Sequence, residues 1–239
     1  MREKVVCTWS GGIDSTAVLG QLLKRPFDIH VISFSLPYGV CFASRELGAR
    51  RRLKIPLATA ENHGEGRIVR YTETRCDWLE AFRDDTDEIR TRNKRIIDHL
   101  VAKYGLDLDV KNIAMGEYIG ADTWVVQDHV DGRDCDHRSL TSYLFQEYGL
   151  EYRLISLADF GPCRYKHERI RIGFEALGAA MFLTTNCLEN SLTDCGSCYK
   201  CVERAAAFVV LKQHDPTPYR VQPAAQPSFE TYVEQMGGR

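Results

Sequence analysis

Apolar and polar positions fall into alternating blocks, short β-rich runs giving way to stretches with helical spacing. Val5–Trp9 reads as a first strand, Thr16–Lys24 as a helix and Ile29–Phe34 as a second strand. Arg45–Lys54 reads as helix and Ile55–Ala60 as a third strand, while residues 61–91, charged and weakly periodic, predict an insertion or a set of loops. Arg92–Tyr104 carries Ile96, Ile97, Leu100 and Val101 on one side, the mark of an amphipathic helix. Asn112–Gly116 predicts a short strand, Ser139–Tyr148 a helix, Tyr152–Ser156 a strand, Lys166–Leu177 a helix and Met181–Thr184 a last short strand. Val202–Gln213 continues as helix, and a proline-containing tail ends in a short helix, Phe229–Met236. Such alternation predicts an α/β fold, a Rossmann-like parallel sheet of right-handed βαβ units with helices on both faces. The expected division is an α/β domain over residues 1–184 and a helical region with a tail over 185–239.

Composition narrows the function classes. A hydrophobic content of 44% with 27% charged residues fits an ordinary globular protein. The formal net charge of −2 disfavours a protein dominated by nucleic-acid phosphate contacts and makes a small-molecule substrate the default. The N-terminal apolar run is too short for a signal peptide, and no stretch is long and apolar enough for a membrane span, so a cytoplasmic location is expected.

The first strand runs into Ser10-Gly11-Gly12-Ile13-Asp14-Ser15, at the place where open α/β sheets bind ligands. The glycines allow a tight turn and close backbone approach. Helix-start N–H groups and the dipole favour phosphate. Ser10 and Ser15 add hydroxyls, and Asp14 or Ser15 is expected to cap the helix. The pattern lacks the lysine of GxxxxGK[ST] and the spacing of GxGxxG. It resembles the pyrophosphate loop of the PP-loop ATP pyrophosphatases, which implies cleavage of ATP between its α- and β-phosphates.

Of nine cysteines, Cys187, Cys195, Cys198 and Cys201 crowd into fifteen residues. Two CxxC steps supply the knuckle geometry of a tetrahedral thiolate site, which in a reducing compartment reads as structural Zn²⁺. An iron–sulfur cluster is the rival, but a ferredoxin-type run would place its next cysteine three residues on, before proline, whereas Cys201 leads into Val202-Glu203-Arg204.

The loop and the cysteine spacing together resemble the 7-cyano-7-deazaguanine synthases of queuosine biosynthesis, from about residue 5 to 212. Tyr38-Gly39, Arg92-Asn93, Gly116-Glu117, Asp134-Cys135 and Lys166-x-Glu168 follow in the order of the family's own motifs. Val40-Cys41 departs from its Gln-containing step, and residues 61–91 and 117–138 do not follow it closely. The resemblance implies an ATP- and Mg²⁺-dependent carbon–nitrogen ligase converting 7-carboxy-7-deazaguanine and ammonia into the nitrile, and allows a homodimer. It implies that Ser10, Gly11, Gly12, Asp14, Ser15, Ser33 and Phe34 hold the nucleotide, with Lys166 and Arg92 neutralising phosphate charge. Tyr38, Asn93 and Asp134 would then read the deazaguanine.

Blander readings compete with these. Lys166 and Arg92 also suit solvated helix-terminal charges, Asp134 a turn, and Arg50-Arg51-Arg52-Leu53-Lys54 a solvated helix face. Other functions share the loop: a deazaguanine amide synthase, an enzyme conjugating a deazaguanine to another amine, tRNA thiolation through Cys135 and Cys163, or a zinc-stabilised nucleotide-binding module without turnover.

Overall fold

In Glu3–Thr8 (β1), Val5 and Cys7 are buried in one apolar cluster and Val6 in another, so the period-two pleat of a single strand feeds two layers. The computed structural model describes residues 2–35, 40–75, 100–116, 153–189 and 192–237. Phe27–Ser35 (β2), Arg67–Arg75 (β3), Asn112–Ala114 (β4) and Arg153–Ile155 (β5) join β1 in one sheet ordered β3-β2-β1-β4-β5. Every pairing is parallel, with one register shift in β2 between Ile29 and His30. The Rossmann-like parallel α/β class expected above is the one observed.

The larger layer holds Ile13–Leu23 (α1), Val40–His63 (α2), Lys166–Leu177 (α3), Tyr199–Val210 (α4) and Phe229–Gly237 (α5). One buried cluster runs from Val5 and Ile29 through Leu19 and Ile170 to Phe208 and Met236. Phe174, Phe182 and Phe208 stack edge-to-face and face-to-face at 5.2–6.2 Å, tying α3 to α4. On the opposite face a helical segment over 100–107 brings Val101 against Val6, Ile32, Val110, Ile113 and Met115. No helix among the described residues is long and apolar enough to cross a membrane.

Two sequence expectations are corrected. Ile55–Ala60 is not a third strand but the last turns of α2, which continues through Pro56. Leu53, Leu57 and Ala60 recur at helical spacing against the larger cluster, and their burial outweighs the hydrogen bond that Pro56 cannot donate. The third strand is β3, inside the segment expected to be loops. It is an edge strand in which Ile68 and Tyr71 pack inward and most other side chains are charged, the composition that keeps sheet edges from pairing. Met181–Thr184 is likewise no strand: Gly178–Leu183 forms a 3-10 helix, followed by an isolated parallel bridge between Gly12 and Thr185.

Candidate active site

In the strand order β3-β2-β1-β4-β5, connections leave β1 in opposite directions, so the crevice lies above the carboxyl ends of β1 and β4. Ser10, Gly11 and Gly12 follow β1 there. Gly11 has φ +86°, and a Cβ would stand 3.0 Å from Arg50 Cγ and 3.2 Å from the Glu46 carbonyl oxygen, so only glycine fits this turn. Across the crevice Gly116 ends the β4 segment against the first turn of α1. A Cβ on it would lie 2.2 Å from the Ser15 amide nitrogen.

The loop is knotted by its own hydroxyls. Ser15 Oγ lies 3.1 Å from Ser10 Oγ and accepts from Ser10 N–H at 3.2 Å, while Gly12 N–H donates to Ser10 Oγ at 3.2 Å. The expected cap by Asp14 or Ser15 is not made. Gly12 is the N-cap of α1, and no side chain caps the helix. The first-turn N–H groups and the positive end of the dipole are thereby left to an anion.

Asp14 turns instead toward Lys166, whose Nζ donates to both carboxylate oxygens at 2.9 and 3.1 Å; Arg169 Nη1 stands 3.6 Å away. Burial alone would raise the Asp14 carboxyl, but Lys166, then Arg169 and Lys200, outweigh it and hold the pKa at about 2. Lys166 is no solvated helix-terminal charge. Its side chain has no exposure, and Glu203 approaches it at 3.9 Å from α4. Burial draws its ammonium below the ordinary value against the pull of Asp14 and Glu203. Ser33 is fully buried with its hydroxyl donating to the Trp9 carbonyl at 2.6 Å, and Phe34 packs beside the smaller cluster. Tyr38, Arg92, Asn93 and Asp134 lie outside the described residues.

The solvated face expected for residues 50–54 is corrected at Arg50. Arg51, Arg52 and Lys54 are exposed, but Arg50 is buried beneath the loop. Its guanidinium donates to the Ser10 carbonyl at 3.2 Å and to Glu73 Oε1 at 3.0 Å, with Glu46 at 3.8 Å. Spacing carried the signal, since Arg50 stands three and seven residues before the buried Leu53 and Leu57 on one stripe of α2.

Burial pushes the neighbouring Glu46 carboxyl up to about 7, against the pull of Arg50 and Arg45. A group protonated more readily in the folded state loses stability for the fold as pH rises from its unfolded value of 4.5 through about 7. Glu46→Gln is therefore expected to remove that slope, raising stability above pH 7 by on the order of 2–3 kcal/mol and changing nothing at pH 4. Urea midpoints across this range check it. Parallel profiles for wild type and variant would refute it.

Beside the loop the four thiols converge as their spacing predicts. Cys187, Cys195, Cys198 and Cys201 place their sulfurs within 4.8 Å of one another, and none of the described cysteines is in a disulfide. The Cys195–Cys201 and Cys187–Cys198 separations of 3.9 and 4.0 Å approach the tetrahedral edge of about 3.8 Å set by metal–sulfur bonds of about 2.3 Å. Cys187 Sγ accepts from the N–H groups of Glu189 and Cys195, and Cys195 Sγ from those of Ser197 and Cys198, as thiolates in a knuckle do. Gly196, φ +79°, sits so close to the returning tail that a Cβ would overlap the Val221 carbonyl. The donor set fits a four-coordinate metal.

Sequence reasoning missed the charged residues that join these parts. Arg45 spans from Asp194 (3.3 Å) to the Cys187 and Glu189 carbonyls. Arg204, fully buried, links Thr184 to Asp215. Each departs from the surface default for arginine, and only three-dimensional packing reveals it.

No protein-family model matches the chain. Curated relatives do. A 7-cyano-7-deazaguanine synthase of Caldicellulosiruptor bescii is 25% identical over 228 residues, covering 92% of this chain and 98% of that protein. One of Thermoplasma acidophilum is 27% identical, covering 98% of each. Among solved structures, a 4-thiouridine synthetase–RNA complex with bound ATP overlays at TM-score 0.38 and 13% identity, over 99% of this chain and 53% of that one, too loosely to bear on function. The chain is thus a divergent relative of the 7-cyano-7-deazaguanine synthases, with a Ser-Gly-Gly loop and a four-cysteine set placed side by side on a Rossmann-like parallel sheet.

Proposed function

We propose that the protein is an ATP-dependent, AMP-forming ligase that converts 7-carboxy-7-deazaguanine and ammonia into 7-cyano-7-deazaguanine. The observation that carries the reading is the uncapped first turn of α1 behind a Ser-Gly-Gly loop, in a chain related over nearly its whole length to synthases of that name. A carboxylate is a poor electrophile toward ammonia. Attack of a carboxylate oxygen on the ATP α-phosphorus forms an acyl-adenylate and expels pyrophosphate. Ammonia then displaces AMP and, losing a proton, leaves the amide. A second adenylation on the amide oxygen, followed by loss of AMP and of the nitrogen-bound protons, gives the nitrile.

Such steps need charge stabilisation and positioning more than a protein nucleophile. The N–H groups of the loop and of the first turn would receive the pyrophosphate, with Ser10 and Ser15 donating from their hydroxyls. Asp14, ionised and held from behind by Lys166 and Arg169, would fix those two cations in place beside the first turn of α1. Arg92 is the second proposed source of positive charge, and Tyr38, Asn93 and Asp134 the proposed readers of the base. The one group of three or more potential ligands among the described residues is the cysteine set, so Mg²⁺ would be held chiefly by phosphate oxygens and water, as that ion prefers. The cysteine set would hold Zn²⁺, which supplies structure and no open position for chemistry. Residues 1–184 would form the nucleotide-binding unit and 185–239 the metal-bearing appendage.

Thiolation finds no support in Cys163. Its thiol is buried and pushed up to about 11 by that burial, the opposite of an activated sulfur.

Incubation with ATP, Mg²⁺, ammonium and 7-carboxy-7-deazaguanine is expected to yield AMP, pyrophosphate and the nitrile, read by mass spectrometry. Amide accumulating without nitrile would select an amide synthase. AMP formed only when another amine replaces ammonium would select a conjugating enzyme. No AMP under any of these conditions would overturn the proposal.

A further inference from the structure

The cysteine set and the phosphate-binding loop are joined by a segment of four residues, Thr184–Cys187. Thr185 N–H donates to the Gly11 carbonyl at 3.2 Å, and Thr185 forms a parallel bridge to Gly12. Two residues later Cys187 enters the cluster. The segment is fastened at every step: Thr184 accepts from Arg204 at its carbonyl and its hydroxyl (3.0 Å each), and Asn186 Nδ2 donates to the Lys200 carbonyl at 2.9 Å. A second connection runs beside the first. Thr185 Oγ1 donates to Asp194 Oδ1 at 3.2 Å, Asp194 pairs with Arg45 at 3.3 Å, and Arg45 donates to the Cys187 carbonyl. Thr185, Asp194 and Arg45 are all buried, and Asp194 immediately precedes Cys195. From the other end of the cluster, Cys201 lies in the first turn of α4, which carries Glu203 to within 3.9 Å of Lys166 and so to Asp14.

We propose that the four-cysteine centre sets the conformation of the phosphate-binding loop, with Thr185 and Asp194 as positioning residues, so that metal occupancy and nucleotide binding are linked. The proposal rests on the reading that the loop binds ATP. The Gly11 carbonyl is held by a backbone whose register a metal-bound Cys187 thiolate would fix two residues away. Without the metal, the Cys187 and Cys195 sulfurs keep their backbone N–H donors, but no bond to a common centre holds the four thiols together. The Gly11–Thr185 and Thr185–Asp194 bonds loosen with them. Since binding free energies are reciprocal, nucleotide must then tighten metal binding by the factor by which metal tightens nucleotide binding. Physical contiguity alone does not establish coupling, so measured linkage is the criterion.

The test uses the full-length, metal-loaded protein and a non-cleavable ATP analogue with a methylene bridge between the α- and β-phosphorus atoms. Calorimetry gives its affinity, and equilibrium competition with a chromogenic chelator gives the Zn²⁺ affinity with and without analogue. Saturating analogue is expected to tighten Zn²⁺ at least tenfold. In Thr185→Val, which keeps the backbone N–H and removes the hydroxyl, Zn²⁺ affinity without analogue should match wild type while the analogue-dependent tightening shrinks severalfold. A merely structural role for Thr185 would shift both Zn²⁺ affinities together and leave their ratio intact. An unchanged ratio in the variant, or equal Zn²⁺ affinity with and without bound analogue in the wild type, overturns the proposal. If the loaded wild type binds no analogue, the ATP reading itself fails, a result distinguishable from the absence of linkage.

Discussion

Lys166→Met is expected to lower the stability of the protein at pH 7 by about 3–5 kcal/mol and to abolish AMP formation. The ammonium is completely buried, donates to both oxygens of Asp14 and faces Glu203. Methionine fills a similar volume but leaves both carboxylates, Asp14 21% and Glu203 13% exposed, short of a counter-charge. Arg169, at 3.6 Å, compensates Asp14 only in part. The Asp14 carboxyl should then rise from about 2 toward the usual carboxylate range, because burial, which opposes its ionisation, is no longer outweighed. The sign of the pH effect follows. A depressed folded-state pKa adds stability above the unfolded value of 3.8 that is lost as pH falls through about 2. The variant should therefore lose most at neutral pH and least at pH 3. Adding Asp14→Asn to Lys166→Met removes the orphaned charge and should recover much of the stability without recovering turnover. Urea denaturation and AMP release measure the two effects separately. A stable, active single variant would show that the pair neither holds the fold nor serves the site.

That prediction could not have been made from the sequence, where Lys166 at the start of a helix suits a solvated charge as well as a ligand. What was legible there depended on local pattern. Lys166–Leu177 is a helix with the expected bounds because its apolar spacing and its first-turn Glu168, which accepts from the Tyr165 N–H, act within a few residues. The Ser-Gly-Gly turn and the cysteine knuckles were legible for the same reason, each being a demand of backbone geometry on adjacent positions. The failures came from distance. Ile55–Ala60 has strand composition and a proline, yet burial of Leu57 and Ala60 under the sheet keeps it helical. β3 lacks an apolar alternation because it lies at the sheet edge. Asp14 does not cap its helix because a lysine 152 residues away claims both of its oxygens. Arg50, Arg45 and Arg204 look like surface charges until the carbonyls and carboxylates that receive them are brought together in space.

Arg204→Ala is expected to be at least as damaging as Lys166→Met, about 4 kcal/mol or more at pH 7, the range for one partner lost from a buried ion pair. Arg204 has no exposure. Its Nε and Nη2 donate to Asp215 at 3.1–3.3 Å, and its Nη1 donates to both the carbonyl and the hydroxyl of Thr184. Alanine would leave the Thr184 carbonyl unpaired and Asp215 supported only by Thr217 and the Tyr219 hydroxyl. Burial raises the Asp215 carboxyl, and Arg204 is the largest influence holding it below its ordinary value. With the guanidinium gone, protonation becomes the cheaper way to keep Asp215 buried, so the variant's deficit should shrink as pH falls toward 4. Arg204→Lys should recover only part of the loss, since one ammonium cannot reach the carboxylate and the Thr184 carbonyl with a guanidinium's fork geometry. The informative control is Arg67→Ala. Its contact with Asp28 is shorter, at 2.7 Å, but Arg67 is 55% exposed, and the thermal midpoint should not move. The Arg204 variant should melt about 10 °C or more below wild type, given the few degrees per kcal/mol expected of a chain this size. Equal midpoints for the Arg204 and Arg67 variants would mean that burial does not set the strength of these pairs, and would remove the argument for Lys166 together with this one.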